Sequence, residues 1–327
     1  MKKTGLILVL LAATAAFGQT EPTTVASAAA PDKASASANV AETNGNYPTV
    51  QITTPTYADL YCAGFLSKNL VPNANYVTGG LQTPNTTKFV RGDIVYMAGS
   101  GYQPGQLYAI VRELRDVNEF QMYPGEASLV KATGQAYSEL GRIKILDTRS
   151  HNAVGVVEYS CDTILPGDVA IPFAEKPNVT FHAPEKFDRF APPSGRTSGR
   201  IVLAKDFDAI LGTGAKVYLN VGANQGVKVG DYFKAVRNYT ADQHDPVDSL
   251  SFKSSIAEDT QKKPPSWGRH FYERTGGPAI NIADMPRRAV GQVVVIGVTP
   301  TTATAMVTFA LEDVHIGDGV ELESDQQ

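Results

Sequence analysis

The residues that could do chemistry are mostly acids beside glycines. Asp93, Asp168, Asp231 and Asp318 follow Gly92, Gly167, Gly230 and Gly317 directly, and each pair stands just before a strand-like apolar run. A catalytic dyad would need two carboxyls whose environments push their pKa values apart, and a glycoside hydrolase would need them about 5 to 10 Å apart in a cleft. A turn needs less: a glycine that accepts positive φ and an aspartate that bonds nearby backbone N–H groups. We therefore expect turn residues, and the Arg91-Gly92-Asp93 triplet is expected to be one of those turns.

Metal and nucleophile patterns are thin. His151, His182, His244, His270 and His315 are scattered, with no His-Glu-x-x-His spacing and no close cysteine pair. Asp242, His244, Asp245 and Asp248 in "DQHDPVD" read as a solvated acidic loop, although acidic loops can hold hard cations. No Gly-x-Ser-x-Gly elbow is present, and "SGRTSGR" from Ser194 reads as linker because neither a strand nor a helix frames it. No metal, cofactor or catalytic residue is expected.

One stretch has the composition of a recognition loop. Trp267, Arg269, His270, Phe271, Tyr272 and Arg274 interleave rings and basic groups, which bury area while making directional contacts. They lie in "PPSWGRHFYER", inside a segment from 238 to 290 that is too long for a bare connection in a compact domain. The alternative is that Trp267 and Phe271 only pin that loop down.

Self-comparison identifies the elements that must position these residues. Gly105, Tyr108, Val111 and Arg112 match Gly230, Phe233, Val236 and Arg237, and "GDIVYM" from Gly92 matches "GAKVYL" from Gly214. "GRIKILDTRSHNAVGVVEYSCDTILPGDVAI" from Gly141 aligns without a gap on "GQVVVIGVTPTTATAMVTFALEDVHIGDGVE" from Gly291. Short Val-, Ile- and Tyr-rich runs punctuated by glycine and proline argue a mainly β chain. The expected architecture is two tandem related small β-barrel-like modules, with one short helix in the first and a long insert in the second. Module 1 with its N-terminal segment spans 50–175, a proline-rich connector 176–199, and module 2 200–323, with the insert at 238–290. The self-match of module 1 begins near residue 88. Helical spacing at Leu129, Ala132 and Ala136 predicts the helix from Glu126 to a stop at Gly141.

The start of the chain bears on compartment. Lys2 and Lys3 precede an apolar run from Leu6 to Phe17, and Ala16 and Gly18 suit a cleavage site before Gln19, so residues 1–18 read as a signal peptide. That run is too short to span a bilayer, which takes roughly 20 residues, and no later segment approaches that length. Residues 19–49 are rich in Ala, Ser and Thr and are expected to be a disordered linker. The net charge of −4 offers no basic face for nucleic acid. In an oxidising compartment a lone pair of cysteines is more often bridged than free. Cys62 and Cys161 are expected to form a disulfide that ties the N-terminal segment to module 1, with Cys161 facing inward. Closing a loop of about 100 residues is worth up to roughly 4.7 kcal/mol in the chain-entropy model.

"VYLNVGANQGVKVGDYF", from Val217 to Phe233, resembles the small β module at the C-terminus of the flagellar H-ring assembly protein FlgT and in tails of some LysM-type envelope proteins. The wider chain, with "YCAGF" and "TPTTATAMVTFALEDVHIGDGVEL", is similar to secreted envelope proteins of acidobacterial type. The resemblance implies a cell-envelope setting, periplasmic or at the cell surface, and a non-enzymatic module. The expected function is a protein-interaction or scaffold component whose partner is an envelope protein. The alternative is a peptidoglycan or glycan binder using the aromatic residues of the module 2 insert.

Overall fold

The computed structural model describes residues 40–41, 50–115, 125–179, 187–238 and 286–323. The expected signal peptide, nearly all of the linker and most of the module 2 insert lie outside these residues.

A two-stranded ribbon, β1 (Val40–Ala41) and β2 (Val50–Gln51), leads into helix α1 (Tyr57–Tyr61) and a short strand β3 (Phe65–Ser67). The first barrel follows: β4 (Tyr76–Gly80), β5 (Ile94–Ala98), β6 (Leu107–Leu114), helix α2 (Glu126–Thr133), β7 (Gln135–Asp147), β8 (Ala153–Ser160) and β9 (Val169–Pro172). The second barrel comprises β10 (Ser198–Ala204), β11 (Ile210–Leu211), β12 (Lys216–Leu219), β13 (Tyr232–Arg237), β14 (Arg288–Val298), β15 (Ala303–Ala310), β16 (Val314–His315) and β17 (Gly319–Leu322).

Both barrels are closed rings of six antiparallel strands. The first runs β4-β5-β8-β7-β6-β9, with β3 added outside on β7; the second runs β10-β12-β15-β14-β13-β17. Strand for strand this is one topology, and the irregularities coincide as well. The register shift between Ile110 and Val111 recurs between Ala235 and Val236, and the two shifts along β7 and β8 recur along β14 and β15. Bulges twist and bend a strand so that a small sheet can close, which makes matching bulges a sign of one shared module. The Phe89–Ile164 bridge of the first barrel corresponds to the β11–β16 pair, Leu211 with Val314, of the second. The first barrel begins earlier than the self-match near residue 88, with β4 at Tyr76–Gly80, whose "YVTGG" shares no residue pattern with "SGRIVLA" of β10.

Alternation fills the barrels. In β5, Val95 and Met97 point inward while their neighbours are half-buried, and they join Ile110, Ile143 and Ile164 in the first core. Val217, Leu219, Phe233 and Val293 fill the second. β14 and β15 are buried on both faces over most of their length, as their nearly continuous apolar sequences suggest.

The N-terminal segment covers their outer face and joins the barrels. Leu60 and Ala63 pack on Val294, Ile296 and Met306. Asp59 of α1, in a capping box with Thr56, pairs with Lys216 of β12. Hydroxyls at the start of β15 meet the outer side of this segment: Thr302, just before β15, donates to the Leu66 carbonyl of β3 at 2.6 Å, and Thr304 to the carbonyl of Gly64, just before β3, at 3.0 Å. The buried Tyr218 hydroxyl of β12 donates to the Ala63 carbonyl at 2.8 Å. Cys62, at the end of α1, is disulfide-bonded to Cys161 just beyond β8. One segment is thus bonded to both barrels, which lie within one compact unit of the chain.

Three expectations need correction. The helix from Glu126 stops at Thr133, and Ala136 belongs to β7; Gly134 runs so close to the Ser67 backbone that a Cβ would lie 2.3 Å from its carbonyl oxygen, and strand pairing with β3 takes over. The end of "SGRTSGR" is strand, since Ser198–Arg200 open β10 and pair with β17. Cys161 is half-buried, because it turns outward to meet Cys62 under α1.

Candidate functional site

All four Gly-Asp aspartates cap turns. Asp93, Asp168, Asp231 and Asp318 accept from the backbone N–H three residues earlier, at 2.8, 2.6, 2.8 and 2.8 Å. Gly167 and Gly317 share φ 94°, where a side chain would be strained. Two of the acids have a second role. Asp168 takes a bidentate pair from Arg112 at 2.8 and 2.7 Å, and Asp318 takes one from Arg237 at 2.9 and 2.8 Å. Each arginine also donates to a carbonyl, Thr163 or Asp313, at the matching place. These buttresses tie β6 to the turn before β9 and β13 to the turn before β17. Their carboxylates are engaged by structure, and sequence comparison had already aligned the two arginines without revealing their partners.

The chemically distinctive site is a cleft of about 260 Å³ where α1, the outer face of the first barrel and the tip of β14 meet. Its walls carry Tyr57, Tyr61, Tyr159, Phe173, Arg142 and Lys176. Tyr57 and Tyr61, one helical turn apart, have ring centroids 4.5 Å apart; Tyr159 meets Tyr57 edge-on at 5.4 Å, and Phe173 stacks on Tyr61 at 5.5 Å. The Arg142 guanidinium lies 4.9 Å from the Phe173 ring centroid and donates to the Tyr57 hydroxyl at 3.0 Å. Lys176 pairs with Glu139 at 2.6 Å and donates to the Leu60 carbonyl at 2.7 Å. Arg142 Nε is 3.3 Å from Glu158, within ion-pair reach, but its N–H is not aimed for a hydrogen bond.

At the equivalent face of the second barrel the chemistry is replaced residue by residue. Arg142, Glu158, Tyr159 and Phe173 correspond to Gln292, Thr308, Phe309 and Glu323. There, Thr308 donates to Gln292 at 3.0 Å and Gln292 donates to Glu323 at 2.8 Å, with Gln292 2%, Thr308 0% and Phe309 1% exposed. Phe187 of the connector meets Phe309 edge-on at 4.8 Å, as Tyr57 meets Tyr159. Burial raises the Glu323 carboxyl above its ordinary range, against the Gln292 hydrogen bond and the Lys234 charge, which lower it.

Of the residues singled out in the sequence, Cys62 and Cys161 are brought together as a disulfide. Trp267, Arg269, His270, Phe271, Tyr272 and Arg274 lie outside the described residues, as does the "DQHDPVD" loop. Among the described residues no cluster of three or more His, Cys, Asp or Glu could hold a metal ion. No helix among them is long and apolar enough to cross a membrane. The cleft itself escaped sequence reading, though the gapless self-alignment contained three of its mismatches, Arg142/Gln292, Glu158/Thr308 and Tyr159/Phe309; Phe173/Glu323 lies two residues beyond its end. No protein-family model matches the chain, and no curated protein matches it.

Proposed function

We propose that this protein is a non-enzymatic, exported component of the cell envelope that acts as a rigid two-barrel interaction or scaffold module. The observation that carries the reading is the N-terminal segment, bonded to both barrels and locked by Cys62–Cys161. Such a joint suits a body that presents fixed surfaces, since preorganised surfaces lose little entropy on binding. A disulfide also belongs with an oxidising compartment outside the cytosol. The resemblance of Val217–Phe233 to envelope modules supports the same setting, and Trp267 and Tyr272 of the insert are the proposed partner contacts.

The test is fractionation of cells producing the full chain, combined with cross-linking in the isolated envelope. The expected result is a mature chain beginning at Gln19 and a discrete cross-linked species that the Trp267→Ala/Tyr272→Ala double variant weakens about tenfold, as loss of aromatic anchors does. Retention of Met1–Gly18 with cytosolic recovery would overturn export; cross-linking unchanged in the double variant would overturn the insert as contact.

A further inference from the structure

We propose that the cleft between α1 and the first barrel is a binding site for one ring of a neutral saccharide, with Tyr57 as its stacking platform. The inference deepens the interaction-module reading and rests on it only for biological context.

Tyr57 is 49% exposed, yet it is held on several sides. Its hydroxyl takes a hydrogen bond from Arg142 and its ring is edge-on to Tyr159. The helix that carries it is capped by Thr56 and Asp59 at one end and closed by the Cys62 disulfide at the other. Asp59 is itself fixed: burial would raise its carboxyl, but Lys216 and Thr56 outweigh that and lower it. A half-exposed ring with this much restraint is preorganised, and stacking on it costs little side-chain entropy.

Charge and size select the ligand. The charged groups of the lining, Glu139, Arg142, Glu175 and Lys176, are two of each sign, and Glu158 and Lys144 beside Arg142 add one more of each. No net field favours an anion or a cation, while guanidinium and carboxylate groups at the rim can bond vicinal hydroxyls in pairs. A pyranose has an apolar face for the tyrosine and hydroxyls around its edge for those groups. At about 260 Å³ the cleft is below the usual range for drug-sized ligands and suits a single ring. Peptide capture by strand addition is not available at β3, because its Leu66 carbonyl and the Gly64 carbonyl just before it are already bonded to Thr302 and Thr304.

The second barrel supplies an internal comparison. Its equivalent face has lost the arginine, the glutamate and the tyrosine hydroxyl of Tyr159 and is sealed by Phe187, so these groups are not required for the module to fold.

The experiment titrates the disulfide-intact protein with the N-acetylglucosamine, glucose β-1,4 and glucose α-1,4 tetramers, by calorimetry and tyrosine fluorescence. At least one should bind with a Kd in the millimolar range or tighter. Tyr57→Ala should weaken that binding at least about tenfold at unchanged far-ultraviolet circular dichroism and an intact disulfide, Tyr57→Phe by about two- to threefold, and Tyr76→Ala on β4 not at all. Absence of binding to all three tetramers, or equal affinity in Tyr57→Ala, would overturn the proposal. Envelope cross-linking of Tyr57→Ala, measured in parallel, separates this failure from failure of the scaffold reading, which predicts unchanged cross-linking there.

Discussion

The outer faces of β7 and β8 in the first barrel and of β14 and β15 in the second are the same surface built twice, and they were put to different use. In the second barrel the face is a floor: Gln292, Thr308 and Glu323 satisfy one another beneath Phe187, and the N-terminal segment covers the strands beside them. In the first it is a wall of a cleft, where the charged Arg142 and Glu158 and the rings of Tyr159 and Phe173 all remain half-buried. The difference teaches that folding the module requires its turns, bulges and core, whereas this face is free to change. The buttresses follow the same division. Arg237–Asp318 has side chains 7% and 5% exposed, whereas Arg112–Asp168 has 30% and 5%.

That contrast can be broken most sharply at the buttresses. Asp318→Ala should cost about 3–5 kcal/mol, because a buried guanidinium loses its bidentate carboxylate. Asp168→Ala should cost about 1.5–3 kcal/mol, because Arg112 can turn toward water. Denaturant midpoints of the two variants measure the difference, and equal losses would remove the distinction between a buried and an open copy.

A smaller effect separates the two aromatic covers. Phe187→Ala, which uncovers a buried ring, should cost about 3 kcal/mol, and Tyr57→Ala less than about 1 kcal/mol since its ring is already half in water. If Tyr57→Ala destabilised as much as Phe187→Ala, the tyrosine would be a cover and not a platform.

The smallest effect sharpens the electrostatic comparison. The folded-state pKa of Glu323 is raised by burial, so its contribution to stability is present below the unfolded carboxylate range and lost as pH rises through the raised value. Glu323→Gln should therefore raise the melting temperature at pH 7 by about 2–4 °C, on the order of 1 kcal/mol. The gain should vanish near pH 4, where the wild-type carboxyl is protonated. Phe173, at the same place in the first barrel, has no proton to lose.

Much of this architecture was legible because duplication writes it twice. Gly105 and Arg112 recur at one offset as Gly230 and Arg237, and Gly167 recurs at a second as Gly317, so the turns and the gapless match from Gly141 could be read as a repeated β module. Periodicity misled where two signals overlapped: Leu129, Ala132 and Ala136 have helical spacing, but Gly134 lets the chain turn into β7 and Ala136 pairs in the sheet. The bridge between Cys62 and Cys161 was legible from their number and from the oxidising compartment expected for the chain. The candidate binding residues were not, because Tyr57, Arg142, Tyr159 and Phe173 are ordinary in isolation and distant in sequence.

By itself the sequence determined that the chain is β, that it holds two copies of one module, and where the backbone must bend, since glycine placement and apolar alternation are local properties. Tertiary structure alone decided which face stays open. That depends on where the N-terminal segment and Phe187 come to rest, and packing between segments far apart in the chain leaves no periodic mark in either.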